Sequence, residues 1–327
     1  MTIYHFAQLS DIHISSLGDY AEMLSGRAAD FLKAVVTHLN RQEDLDFVLI
    51  TGDLFNTPTR SNLALFQQAI QSLNRPYFII PGNHDRRAPD ETEGLTRREF
   101  ARYFNPQFQA RPAAPEAQVG YWSLTVRPEV QLIGLDSIRD EDWGGQIDAA
   151  QIEWLEQELR AHADKLIILA VHHPLHPLAP IDDHPDWRNF VCDNGPELLA
   201  LLDRYPQVKV VLTGHHHQTK ADMLGQRLHL ACPALSVYPC AYRLLRLEQT
   251  DTDTWHIEWS TRSATADSTV TEARQRMIEA WQGVGFDLDF VEMHAQLAYG
   301  SEFDRQGRWK NGSVADWRIG GLGNGEK

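Results

Sequence analysis

Seven short apolar runs punctuate this sequence at 3–9, 47–51, 77–80, 121–126, 130–135, 166–171 and 208–213. Several are continuous rather than alternating, as expected of strands buried on both faces. Five are followed at once by residues that can ligate a metal ion: Asp11-Ile12-His13, Gly52-Asp53, Gly82-Asn83-His84-Asp85, His172 and Gly214-His215-His216-His217. Open α/β sheets bind ligands beyond the carboxyl ends of their strands. The five pieces are therefore expected on one rim. In extended backbone, residues i and i+2 point to the same side, which would bring Asp11 with His13 and His215 with His217.

Amphipathic helix patterns lie between the runs. Phe31, Leu32, Val35, Val36 and Leu39 form one stripe over 28–41. Leu63, Phe66, Ile70 and Leu73 form another. Asp148 is placed to cap a helix carrying Ile152, Leu155 and Leu159, and Pro196 to open one with Leu198, Leu199 and Leu202 inward. Beyond about residue 225 the runs 227–231, 242–247 and 255–259 read as an antiparallel edge. The expected fold class is α/β: two packed sheets with helices outside.

Composition narrows the setting. Of 327 residues, 43% are hydrophobic, enough for one large domain or a domain plus an appendage. Three cysteines, Cys192, Cys232 and Cys240, give no disulfide framework and fit a reducing compartment. The N-terminus shows no signal-peptide pattern, and no stretch approaches the ~18 apolar residues of a membrane span. A cytoplasmic protein with no membrane partner is expected. The net charge of -15 repels a phosphate backbone, which disfavours a nucleic acid polymer as substrate but not a small anion.

Taken singly, each ligand piece has an ordinary explanation. Gly-Asp and Asn-His-Asp are common turn formers, and a lone histidine at a strand end is often a hydrogen-bonded core residue. Five such pieces in this order resemble the calcineurin-like metallophosphoesterase superfamily over residues 11–217. Asp182-Asp183 and Asn194-Gly195 resemble, more loosely, the bacterial branch of class III cyclic nucleotide phosphodiesterases and glycerophosphodiesterases.

The resemblance implies a four-layer αββα sandwich and two metal positions. The first would use Asp11, His13 and His217, with Asp53 bridging; the second would use Asp53, Asn83, His172 and His215. His173 is the alternative to His172, which the family pattern favours as the first histidine of its pair. His84 would contact the phosphoryl group or protonate the leaving oxygen. Asp85 would orient a neighbouring histidine, with a turn cap as its equal alternative. His216 would point away, towards solvent. The donors suit Mn, Fe or Zn alike. Two divalent or trivalent ions roughly 3.5–4 Å apart would clamp the attacking and leaving oxygens and generate a bound hydroxide to attack phosphorus.

The expected substrate is a small phosphodiester, either a cyclic nucleotide or a glycerophosphodiester. Arg86, Arg87 and residues 140–143 and 182–187 form the expected specificity strip, with Trp143 and Trp187 read first as packing and second as platforms for a base. A phosphomonoesterase or nuclease with the same metals is the alternative; a silent protein-binding scaffold would have lost ligands. Residues 1–261 read as the metallophosphoesterase domain. Residues 262–327 read as an extension, with helix patterns over 270–281 and 288–297 and turns at Asn311-Gly312 and 320–325. Its candidate roles are a cap, a homo-oligomerisation arm or a packing segment.

Overall fold

The computed structural model describes residues 2–87, 92–110, 119–139, 142–183, 189–251 and 254–310. Two six-stranded mixed sheets face each other among these residues. The first runs β12 (Gln306–Lys310), β11 (Thr254–Ser263), β10 (Ala241–Asp251), β1 (Thr2–Leu9), β2 (Phe47–Ile50) and β3 (Tyr77–Ile79). The second runs β4 (Trp122–Arg127), β5 (Val130–Gly134), β6 (Leu166–Ala170), β7 (Val208–Thr213), β9 (Arg227–Ala231) and β8 (Lys220–Leu224). The central strands β1, β2 and β3 are parallel, as are β5, β6, β7 and β9. Their carboxyl ends therefore share a rim.

The continuous apolar runs follow from burial on both sides. Phe6 and Leu49 point between the sheets, where they meet Trp122, Leu132, Ile168 and Val210. Their neighbours Ala7, Val48 and Ile50 point the other way, against Leu32 and Val35 of α1 (Ala28–Leu39) and Phe66 of α2 (Arg60–Ile70). Ile133, Leu169 and Val211 cover the outer face of the second sheet with Leu155 of α4 (Ala149–Ala161) and Leu198 of α5 (Gly195–Leu202). A third helix on the first sheet's side, α3 (Arg97–Phe104), is capped by Thr96 and Glu99. The layers are α, β, β, α.

The tail is woven into this core. In α6 (Asp267–Gly283) and α7 (Leu288–Tyr299), Ala273, Met277, Ala295 and Ala298 join the apolar cluster beneath the first sheet. The short helix α8 (Glu302–Arg305) leads into β12, which pairs antiparallel with β11. A boundary at 261/262 falls inside β11, where Ser263 still pairs with Ala241. Asn311-Gly312 and 320–325 lie outside the described residues.

One grouping from the sequence is corrected. Arg227–Ala231 does not share an edge with the two strands after it; it enters the second sheet as a parallel neighbour of β7. Sequence periodicity marks a strand but not its partner. Strands β8 and β12 and helix α3 are not marked by the sequence pattern, because all three are short and charged residues interrupt their apolar positions.

Trp122 has no exposed surface, and its indole N–H donates to the Ile79 carbonyl at 3.0 Å, tying the two sheets together. Trp122→Ala is expected to destabilise the protein by about 3–5 kcal/mol, the range for a large aromatic deleted from a core. Urea unfolding followed by fluorescence and circular dichroism would measure it.

Candidate metal centre

Loops leaving β1, β2, β3, β6 and β7 meet on the shared rim. Asp11, His13 and His217 form one cluster; His13, Asp53 and His84 a second; Asp53, His172 and His215 a third. Asn83 joins the last, its Oδ1 3.1 Å from His172 Nε2. All seven expected ligands and His84 are thus brought together.

Strained backbone sets this geometry. Asp11, His13, Asp53, His215 and His217 have φ between 50° and 64°, a region non-glycine residues enter rarely and at a cost of about 1–3 kcal/mol each. The i, i+2 pairs converge through left-handed turns, not through the extended backbone expected from sequence. Neighbouring loops hold the turns. Asp11 N–H donates to the Gly52 carbonyl at 3.0 Å, and Ile12 and His13 N–H both donate to the Asp53 carbonyl. His215 N–H donates to the Asp11 carboxylate at 3.1 Å, and Gly214 N–H to the His172 carbonyl at 2.9 Å. Gly52 itself has φ +98°, and a Cβ there would lie 2.5 Å from His172 Nδ1. Glycine is required on both counts.

Ring partners fix which imidazole nitrogens face inward. His172 Nδ1 donates to the Thr51 carbonyl at 2.7 Å, leaving Nε2 3.4 Å from Asp53 Oδ2. His215 Nε2 meets the Asn189 carbonyl at 2.9 Å, which leaves Nδ1 for the cluster. His84 Nδ1 donates to the Asn56 carbonyl at 2.8 Å, which leaves Nε2. Carbonyl partners of this kind orient histidine ligands in metal sites. His173, the alternative to His172, has both nitrogens engaged elsewhere, by Ser137 Oγ and the Trp143 carbonyl.

The donor set fits cations. His13 Nε2 and His217 Nε2 approach to 3.1 Å, and His217 Nε2 lies 3.5 Å from Asp11 Oδ1. Such nitrogen and oxygen separations suit ligands of one ion at about 2.0–2.2 Å each. Protonation agrees in part. Burial pushes His13 down to about 3 and His215 well below the ordinary histidine range, so both are neutral. Burial opposes ionisation of Asp53, but His172, first, and then His84 outweigh it and hold the carboxyl well below its usual range. Burial also disfavours charge on His172, yet Asp53 and Asp11 overcome this and raise it to about 9.

Two expectations change. His216 is not exposed: it turns away from the cluster into a buried contact, its Nε2 2.6 Å from Asp182 Oδ1. Asp85 touches no histidine by hydrogen bond. Its carboxylate accepts from Gly82, Leu54 and Phe55 N–H groups, tying the Asn83 loop to the Asp53 loop as a turn cap. Of the specificity strip, Arg86 and Arg87 donate to the carbonyls of Arg139 and Thr92. Trp143 is not packed: it is 67% exposed, with its ring centroid 5.7 Å from that of His84. Residues 140–141 and 184–187, Trp187 among them, lie outside the described residues.

Residues 4–219 match the calcineurin-like phosphoesterase family. A protein of Arcobacter nitrofigilis named "Probable glycerophosphodiester phosphodiesterase GpdQ" is 32% identical over 236 residues, 70% of this chain and 77% of that relative. The 3′,5′-cyclic-nucleotide phosphodiesterase alr5338 of Nostoc is 29% identical, covering 81% of this chain and 96% of its own. The 3′,5′-cyclic adenosine monophosphate phosphodiesterase CpdA of Escherichia coli K12 is 27% identical, covering 83% and 89%. In fold, the chain resembles a dimetal phosphatase from Danio rerio at 13% identity and a TM-score of 0.59, covering 80% of this chain and 96% of that one. The chain belongs to the calcineurin-like phosphoesterase family. It is a metal-dependent hydrolase of phosphoric esters.

Because His172 is held protonated up to about 9, an ion must displace a proton to reach Nε2. The His172–Asp53 pair stabilises the metal-free protein fully below the ordinary histidine range and is lost as pH rises through about 9. Metal affinity runs the other way, rising with pH over that window. Calorimetry in buffers of different ionisation enthalpy should register proton release on Mn²⁺ uptake at pH 7.

Proposed function

We propose that this protein is a two-metal phosphodiesterase of small diesters, with cyclic nucleotides its preferred class. The observation that carries the two-metal reading is the convergence of seven donors, one of them the central carboxylate Asp53. In this reading Asp11, His13 and His217 hold the first ion, and Asn83, His172 and His215 hold the second. The clustering of these residues and the inward nitrogens of His172 and His215 support it. The ions, when bound, supply Lewis acidity to the phosphoryl oxygens and activate water for attack at phosphorus.

The chain's own groups do the rest. Neutral Asn83 adds no negative charge at the second position, which leaves that position more electrophilic than a carboxylate would. His84, anchored through Nδ1 on Asn56, presents Nε2 to the phosphoryl group or the leaving oxygen, where a proton is needed as the ester bond breaks. Asp85 acts at one remove, by fixing the backbone on which Asn83 and Asp53 stand. Residues 262–327 extend this unit without supplying a proposed ligand.

Two observations favour small diesters over the alternatives, and a third bears on which diester. Arg86 and Arg87, the cations that follow His84 in the chain, are committed to backbone carbonyls. The charge of -15 disfavours a polynucleotide. Trp143 offers an open aromatic face beside His84, suited to a base and of no evident use to a glycerol group. The names of the relatives agree with small diesters.

A panel with Mn²⁺ tests this reading: cyclic AMP, a glycerophosphodiester, an aryl phosphodiester and an aryl phosphomonoester. Diesters should be cleaved in preference to the monoester; preference for the monoester would overturn the reading. Asp53→Ala should lose both metal and activity. His84→Ala should keep its metal and slow turnover, most for poor leaving groups. Trp143→Ala should weaken cyclic AMP binding by about 1–3 kcal/mol, the worth of one stacked base, and leave KM for the glycerophosphodiester unchanged.

A further inference from the structure

The loop 214–219 carries His215 and His217, and the family match ends at Thr219. What fixes the exit of this loop lies beyond that match. Thr219 is fully buried, and its N–H and its hydroxyl both donate to the carbonyl of Ala298, at 3.2 and 2.7 Å. Ala298 stands in the last turn of α7, where helix carbonyls lack intrahelical partners. One residue past the helix end, Gly300 has φ +79°, and a Cβ there would lie 2.6 Å from the Thr219 carbonyl. The helix end and the loop exit are thus in close backbone contact.

Two further ties secure the same junction. Asp304 of α8 accepts the Ala221 N–H at 3.0 Å. The guanidinium of Arg243, itself fully buried, donates to the carbonyls of Lys220, Ala231 and Asp304. The middle of the loop is held from another direction, by the bond between His216 and Asp182. Left-handed backbone at His215 and His217 persists only where its surroundings over-determine it. On the exit side, Thr219 and Ala221 donate hydrogen bonds to Ala298 and Asp304.

We propose that the C-terminal helices are a working part of the metal centre, with Thr219 the positioning residue that transmits their grip to His217 and His215. The inference rests on the metal-centre reading above and adds to it a role for a segment outside the matched family region. Removing the hydroxyl should let the left-handed turn relax and spread the donors.

Thr219→Val, close in shape and lacking only the hydroxyl, should weaken Mn²⁺ affinity about tenfold, the lower end of what losing a support behind a metal site costs. Thr219→Ser restores the hydroxyl and should keep the wild-type affinity. Gly300→Ala, which pushes on the Thr219 carbonyl, should behave like Thr219→Val. Calorimetric Mn²⁺ titration, metal content per chain and the melting temperature of the metal-free protein are the readouts. Unchanged affinity in Thr219→Val with a lowered metal-free melting temperature would reduce the contact to packing and overturn the proposal. Equal loss in the valine and serine variants would overturn it as well. Asp53→Ala separates the two levels. If it loses Mn²⁺ while Thr219→Val does not, the clamp alone fails; if it retains full uptake, the metal centre fails and takes the clamp with it.

Discussion

A single buried carboxylate organises the rim of this protein. Asp53 has almost no exposed surface, and a charge in that position is costly unless it is paired and hydrogen-bonded. Its Oδ1 accepts His84 N–H at 2.9 Å, and its Oδ2 lies 3.4 Å from His172 Nε2 and 3.8 Å from His13 Nε2. Its backbone carbonyl receives the N–H groups of Ile12 and His13. One residue thus joins loops from β1, β2, β3 and β6, drawn from both sheets.

The costs of this arrangement are local and are met nearby. Five residues at the centre hold left-handed backbone, and three histidines give one nitrogen to a backbone carbonyl so that the other faces inward. Asp85 shows the same economy. Its carboxylate does no evident chemistry and instead satisfies three backbone N–H groups where the Asn83 loop meets the Asp53 loop. The rigid strands beneath, buried on both faces, give these loops fixed ends. The C-terminal helices extend the same logic to the last ligand loop, by hydrogen bonds to main-chain atoms rather than by added donors.

Much of the fold was legible because burial writes a simple pattern. A run such as 166–171 is apolar at every position, since one face meets the other sheet and the next meets helices. Caps such as Asp148, which accepts from Gln151 N–H, are local and equally readable. Strands β8 and β12 were not legible, because they are short and sit at sheet edges with partly exposed faces. Partnership was also hidden: residues 227–231 read as a strand, but only packing decides which sheet receives it.

At the site, residue identity and order were written in the chain. Asp11, His13, Asp53, Asn83, His172, His215 and His217 stand after apolar runs in a recognisable sequence, because strand ends are where such loops must emerge. The left-handed turns, the inward nitrogens and the turned-in His216 were not written there. They depend on carbonyls and carboxylates tens to hundreds of residues away, such as Thr51 for His172 and Asp182 for His216. Trp143 reads in sequence as one more aromatic to bury, and only the folded rim leaves it open beside His84. The sequence by itself determined which runs are buried on both faces and which polar residues stand at their ends, since both are set by local composition. Tertiary structure alone decided their orientation and the part played by the C-terminal helices, since both rest on contacts between segments far apart in the chain.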